Sequence, residues 1–242
     1  MNKNFEFRIG RVAAISIAIE TIVFAFSLVW GLIFHTEFDQ NIGYIASLLL
    51  AISVVVMMAC FYDSTREQLK IFGLLALVAS IIYAPFCISN YFIQLSIVAL
   101  NPLNLSTEVM KAIDFVPGSL TFAMDMLGYG FLCLSTLAAG FALVEARDKG
   151  LRALCFFHGA IAVPTFAAPI ISGIFLSPSG QANDIGSYIL LFWCIVFVPI
   201  ALLFMRYFTE GASSRDIFGC SKNRQNRIVE NSTYPLDDFG FR

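Results

Sequence analysis

The chain reads as an all-α integral membrane bundle of six transmembrane helices with both termini cytoplasmic. Composition and the placement of basic residues carry that reading. Of 242 residues, 58% are hydrophobic, 14% aromatic and only 13% charged, against about a quarter charged in ordinary soluble domains. Six apolar stretches, at about 12–34, 42–62, 71–99, 119–146, 151–176 and 187–208, are each long enough to cross a hydrocarbon layer of about 30 Å at about 1.5 Å per residue. Lys and Arg alternate sharply between the connecting segments. Lys3, Arg8 and Arg11 precede the first span, Arg66 and Lys70 follow the second, Arg147, Lys149 and Arg152 follow the fourth, and six more run from Arg206 to Arg242. Only Lys111 falls on the opposite face, so fourteen of the fifteen basic residues lie on the side that the positive-inside rule makes cytoplasmic.

The first span begins after a basic arm, as a secretory signal would. Its apolar run, 12–34, is too long for a signal core and no small-x-small cleavage site follows it, so it is expected to stay as a transmembrane helix. Residues 1–208 form the membrane domain and 209–242 a polar tail rich in Ser, Asn, Arg and Asp, expected to be disordered on the cytoplasmic side. Between the third and fourth spans, Ser106 to Asp114 can form a short interfacial helix, either a surface connector or a lid over the outer ends of those spans.

In lipid, helices associate through small and polar residues, so the polar positions should share one face of each helix. Span one offers Ser16, Glu20, Phe24, Ser27 and Gly31; span three Tyr83, Cys87, Asn90 and Gln94; span four Asp125, Gly128, Leu132, Ser135 and Ala139, with Tyr129 and Thr136 beside them; span five His158, Ala162, Thr165, Pro169 and Ser172. Steps of three and four put each set on one stripe. Spans two and six, nearly featureless by comparison, are expected to be lipid-facing walls.

Depth sorts these residues into two layers. Asn90, Tyr91, Gln94, Asp125 and Tyr129 belong to the outer half, Glu20 and His158 to the inner half. A carboxyl inside a membrane costs about 2.5–3.5 kcal/mol to insert and normally faces a bundle interior or a water-filled cavity. Asp125 is therefore the leading candidate. The expectation is an outer vestibule in which Asp125 is the charge partner of a small polar or cationic solute and Asn90, Gln94, Tyr91 and Tyr129 orient it. Glu20 and His158 would form an inner, proton-responsive pair. The bland counterpart is that these groups only hold helices together, at about 0.6 kcal/mol per hydrogen bond. Prolines 164 and 169, just beyond His158, should kink the fifth span.

No zinc-protease, nucleophile-elbow, Walker or dinucleotide glycine pattern occurs, so no catalytic residue, metal ligand or cofactor site is expected. The near balance of 15 basic and 17 acidic residues offers no field for nucleic acid. Five of six cysteines fall within spans, in no C-x-x-C pair, and read as small core residues.

The segments Ser89-Asn90-Tyr91-Phe92-Ile93-Gln94-Leu95 and Met124-Asp125-Met126-Leu127-Gly128-Tyr129-Gly130 resemble a family of uncharacterised multi-pass prokaryotic membrane proteins grouped as a domain of unknown function. That resemblance implies a place in the cytoplasmic membrane and no particular activity. The sequence reading is thus a carrier or binding protein in contact with the lipid bilayer, alone, as a homo-oligomer or beside a membrane protein partner. Its alternatives are an assembly subunit that transports nothing and an intramembrane enzyme acting on a lipid.

Overall fold

The computed structural model describes residues 3–34, 37–102, 104–145, 148–175 and 188–211. These form α1 (Lys3–Phe34), α2 (Glu37–Ser64), α3 (Lys70–Ile93), α4 (Thr107–Ile113), α5 (Leu120–Ala142), α6 (Lys149–Ala160), α7 (Ala162–Phe175) and α8 (Tyr188–Gly211), with no strand among the described residues. Six helical segments are long and apolar enough to cross a membrane: Phe5–Phe34, Gln40–Ser64, Glu67–Val98, Leu120–Ala142, Lys149–Ile171 and Tyr188–Gly211. The fourth stops at Ala142, short of residue 146, while the sixth runs to Gly211; the rest of the polar tail lies outside the described residues.

Neighbours in sequence are neighbours in space. α1 packs along α2, α2 against α3, α3 against α5, and α5 receives both α6 and α7. The antiparallel α3 and α5 meet along their whole length: Asn90 touches Asp125 at one end, the Ser135 hydroxyl donates to the Ala76 carbonyl at 2.7 Å, and Phe72 stacks on Phe141 at the other end. Gly128 permits this approach, since a Cβ there would lie 2.9 Å from Cys87 Sγ and 3.2 Å from Phe86 Cβ.

α2 and α8 are not lipid-facing walls. About half of the central stretch of α2 is buried, against 22% for the fifth span, the most peripheral of the six. α8 reaches α1 through Phe7 and Phe208, α2 through Phe61 and Phe204 and through Ser64 and Tyr207 (3.2 Å), α5 through Tyr129 and Trp193, and α6 through His158. Both helices bury aromatic and aliphatic side chains where polar ones were sought, because tight packing alone holds helices together in lipid. On α1 the buried face is Ala14, Ile17, Thr21, Phe24 and Ser27: Phe24 and Ser27 of the expected stripe are buried, while Ser16, Glu20 and Gly31 are only half-buried.

Two irregularities interrupt the helices. The fifth span breaks at Ile161, between α6 and α7. Pro164 has no N–H to offer the Ala160 carbonyl and its ring crowds that carbonyl, so the chain tightens, with Ile161 N bonded to His158 O at 3.1 Å. α3 ends in a π turn, Gln94–Val98, in which Ala99 N bonds to Gln94 O at 2.9 Å.

The expected interfacial helix is α4. It is capped by Ser106, whose Oγ accepts from Val109 N at 3.4 Å, and tied down at its far end. Gln94 Nε2 donates to Ile113 O at 2.7 Å, and Thr121 Oγ1 lies 3.1 Å from Ile113 O and 2.9 Å from Asp114 O. The segment is therefore fastened to the ends of both α3 and α5.

Outside the bundle, Phe26, Trp30 and Phe34 form a tilted ring ladder along α1, with centroids 5.7 and 4.4 Å apart. The five cysteines within the described helices, 60, 87, 133, 155 and 194, are buried and free.

Candidate functional site

Asp125 sits one and a half turns into α5, whose start is set by Ser119, with its Oγ accepting from Phe122 N at 3.1 Å. Both it and Asn90 on α3 are wholly enclosed. Asn90 Nδ2 donates to Asp125 Oδ1 at 3.1 Å, and the Cys87 thiol lies 3.9 Å from the same oxygen. The second carboxyl oxygen, Asp125 Oδ2, is buried with no hydrogen-bond partner among the described residues, as are Asn90 Oδ1 and the Tyr83 hydroxyl. No Lys, Arg or His among the described residues makes a hydrogen bond or ion pair with the carboxyl.

Aromatic rings close the site. The Tyr91 and Tyr129 hydroxyls are 3.2 Å apart, Tyr83 packs near Tyr129 with centroids 5.9 Å apart, Tyr44 of α2 stacks on Tyr91 at 5.7 Å, and Trp193 of α8 meets Tyr129 edge-on at 5.0 Å. The expected open vestibule is absent from this conformation: Asp125 has no exposed surface.

Of the expected ligand-orienting residues, Asn90, Tyr91 and Tyr129 gather around Asp125. Gln94 is buried one turn further along, but its amide nitrogen serves Ile113 and so anchors the α4 segment. Tyr44 and Trp193 were missed, each lying in a span whose few polar aromatics form no stripe. The signal available was depth, because Trp193 lies within a predicted span rather than at its edge, where tryptophan is ordinarily enriched.

Glu20 and His158 do not form an inner pair. Glu20 accepts from Ser53 of α2 at 2.9 Å through Oε1, and its Oε2 is buried without a partner among the described residues. His158 is enclosed by α5 and α8. Trp193 Nε1 donates to His158 Nε2 at 2.9 Å, and Thr136 Oγ1 lies 2.7 Å from Nδ1. An indole N–H can only donate, so Nε2 accepts and the ring proton is on Nδ1, donated to Thr136. Thr136 in turn donates to the Cys133 carbonyl at 2.9 Å. Every polar atom of the imidazole is thereby satisfied in one neutral tautomer. The expected two layers are also joined, because Trp193 touches both His158 and Tyr129.

The described residues contain no cluster of three or more His, Cys, Asp or Glu suited to a metal ion. Family models, curated proteins and solved structures all returned no match to this chain.

Proposed function

We propose that this chain is a carrier or binding protein of the cytoplasmic membrane for a small polar or cationic solute, with both termini cytoplasmic. Asp125 is the charge partner, and Asn90, Tyr91 and Tyr129 shape the space around it. One observation carries the reading: a carboxyl enclosed within a membrane span keeps one oxygen unpartnered beside an unpartnered amide oxygen and phenol. Ser135 and His158 are satisfied by neighbouring helices, whereas Glu20 Oε2 and Ser47 Oγ, like the atoms around Asp125, are not. Such a set is costly unless a bound cation, or a proton that the cation displaces, completes it.

The same burial weighs against the alternatives. A stripe used to bind a partner subunit would face outward, whereas this one is spent between α3 and α5 of the same chain. A lipid-modifying acid or base would need a path to lipid that an enclosed Asp125 lacks. The conformation corresponds to an occluded state, with the α4 segment, held by Gln94 and Thr121, as its outer cover.

The test is accessibility. In a background with the native cysteines replaced by alanine, a membrane-impermeant maleimide is added outside intact cells bearing Asp125→Cys, Lys111→Cys or Gln68→Cys. The reading expects fast labelling at 111, on exposed α4, slow but complete labelling at 125 as the bundle opens, and labelling at 68 only after permeabilisation. No labelling at 125 over hours, with 111 reacting, would remove the carrier reading. Labelling at 68 from outside would invert the topology.

A further inference from the structure

The unpartnered atoms at Asp125 have a chemistry of their own. The amide of Asn90 and the carboxyl of Asp125 are already joined along one edge, through Nδ2 and Oδ1. The atoms left over, Asp125 Oδ2 and Asn90 Oδ1, are both acceptors when the acid is ionised. The ionised form therefore places a full negative charge in an enclosed space with no cation, supported only by Asn90 Nδ2, the Tyr91 hydroxyl and the Cys87 thiol, and leaves Asn90 Oδ1 without a donor among the described residues, both costly arrangements. One hydrogen removes both. A proton on Oδ2 neutralises the charge, turns that oxygen into a donor and supplies Asn90 Oδ1 with a partner. The result is a cyclic acid–amide pair in which each group donates once and accepts once.

We infer that in this closed bundle Asp125 carries a proton that completes a cyclic pair with Asn90, and that a cationic solute binds by displacing it. This rests on the proposed function for its second half only. On opening, the O–H bond of Asp125 breaks, the proton passes to water admitted with the solute, and the carboxylate left behind takes the incoming cation. Binding of one monovalent cation releases one proton, and the site stays neutral when it closes again.

The groups facing Asp125 from each neighbouring element are Tyr44 of α2, Tyr83, Cys87 and Tyr91 of α3, and Tyr129 of α5; α8 brings Trp193 and Cys194 against Tyr129. None carries a positive charge, so none can replace the proton as the carboxylate's counter-charge.

Infrared spectroscopy of the full-length protein in lipid vesicles, with no solute added, tests the first half directly. At neutral pH the wild type should show a protonated-carboxyl C=O stretch that shifts in heavy water and is absent in Asp125→Asn. Glu20→Gln should retain it. Asp125→Asn can form a reciprocal amide–amide pair with Asn90, so it is expected to fold. Asn90→Leu provides a second route: the band should persist but move to the position of a carboxyl that lacks an amide partner. A wild-type spectrum showing only carboxylate bands would overturn the inference, as would a band that Asn90→Leu leaves unmoved. Because the band needs no solute and no opening, it can stand or fall independently of maleimide labelling at position 125. Proton release, read by a pH-sensitive dye when ethylammonium is the probe, should fall to the buffer baseline in Asp125→Asn. Ethylammonium binding without proton release in the wild type would refute displacement.

Discussion

Trp193 and His158, from helices far apart in the chain, share a hydrogen bond of 2.9 Å in which the indole is the donor and Nε2 the acceptor. That single bond decides the imidazole's tautomer, and with it the direction of the bond to Thr136. Trp193→Phe keeps the packing against Tyr129 and Phe197 but removes the donor. It should cost about 1 kcal/mol of stability, read as a lower unfolding midpoint in detergent. Nitrogen-15 NMR should show a non-protonated, hydrogen-bonded Nε2 in the wild type and a changed Nε2 environment in the variant. A protonated Nε2 in the wild type would contradict the assignment.

At Asp125, two variants of similar size should behave differently. Asp125→Asn should unfold within about 1 kcal/mol of the wild type. Asp125→Leu, which leaves the Asn90 amide buried with no partner on α5, should lose about 1–3 kcal/mol. Equal losses in thermal melts would mean that the amide draws nothing from its pairing.

Close helix approach gives a sharper steric prediction. A Cβ on Gly159 would fall 2.6 Å from Leu137 Cβ and 3.1 Å from its Cα, so Gly159→Ala must push α6 away from α5, at about 1–3 kcal/mol. Gly31→Ala, with nothing within 4 Å of the new methyl, is the matched control and should be neutral in the same melt.

Pro164→Ala should heal the break in the fifth span by restoring the amide that bonds to Ala160 O. Spin labels at the exposed positions Ala153 and Ile171 would then move apart, toward the roughly 27 Å expected for eighteen residues of straight helix. An unchanged distance would show that packing against α5, not the missing amide, sets the break at Ile161.

Hydropathy and the basic residues revealed the six helices because each helix must satisfy its backbone internally and present an apolar surface over a fixed length. The stripes of α3 and α5 were equally legible: Asn90 and Asp125 stand opposite each other because two polar faces in lipid have only one another to meet. The remainder was hidden for identifiable reasons. Which residue of α1 centres the buried face depends on close packing, which the three-and-four spacing does not resolve, and so Glu20 meets Ser53 instead of His158. The neutral, saturated state of His158 could not be read locally, since its partner Trp193 lies thirty-five residues away. Gln94 shares its face with Asn90, yet its amide is claimed by the Ile113 carbonyl at the end of α4, a backbone partner that no side-chain pattern announces.

The chain contains two tryptophans, and they occupy opposite environments. Trp30 is 38% exposed in the ring ladder on the outward face of α1, whereas Trp193 is 6% exposed against His158. From Arg11 to Trp30 is about 28 Å of helix, close to one hydrocarbon thickness, so a bundle that enters the bilayer at Arg11 would carry Trp30 at the far headgroup boundary. The molecule thus carries an internal fluorescence pair. Brominated lipids should quench the emission of Trp30 according to their bromine depth and leave that of Trp193 largely intact, so one spectrum reports both how deeply the bundle sits and whether its interior stays dry.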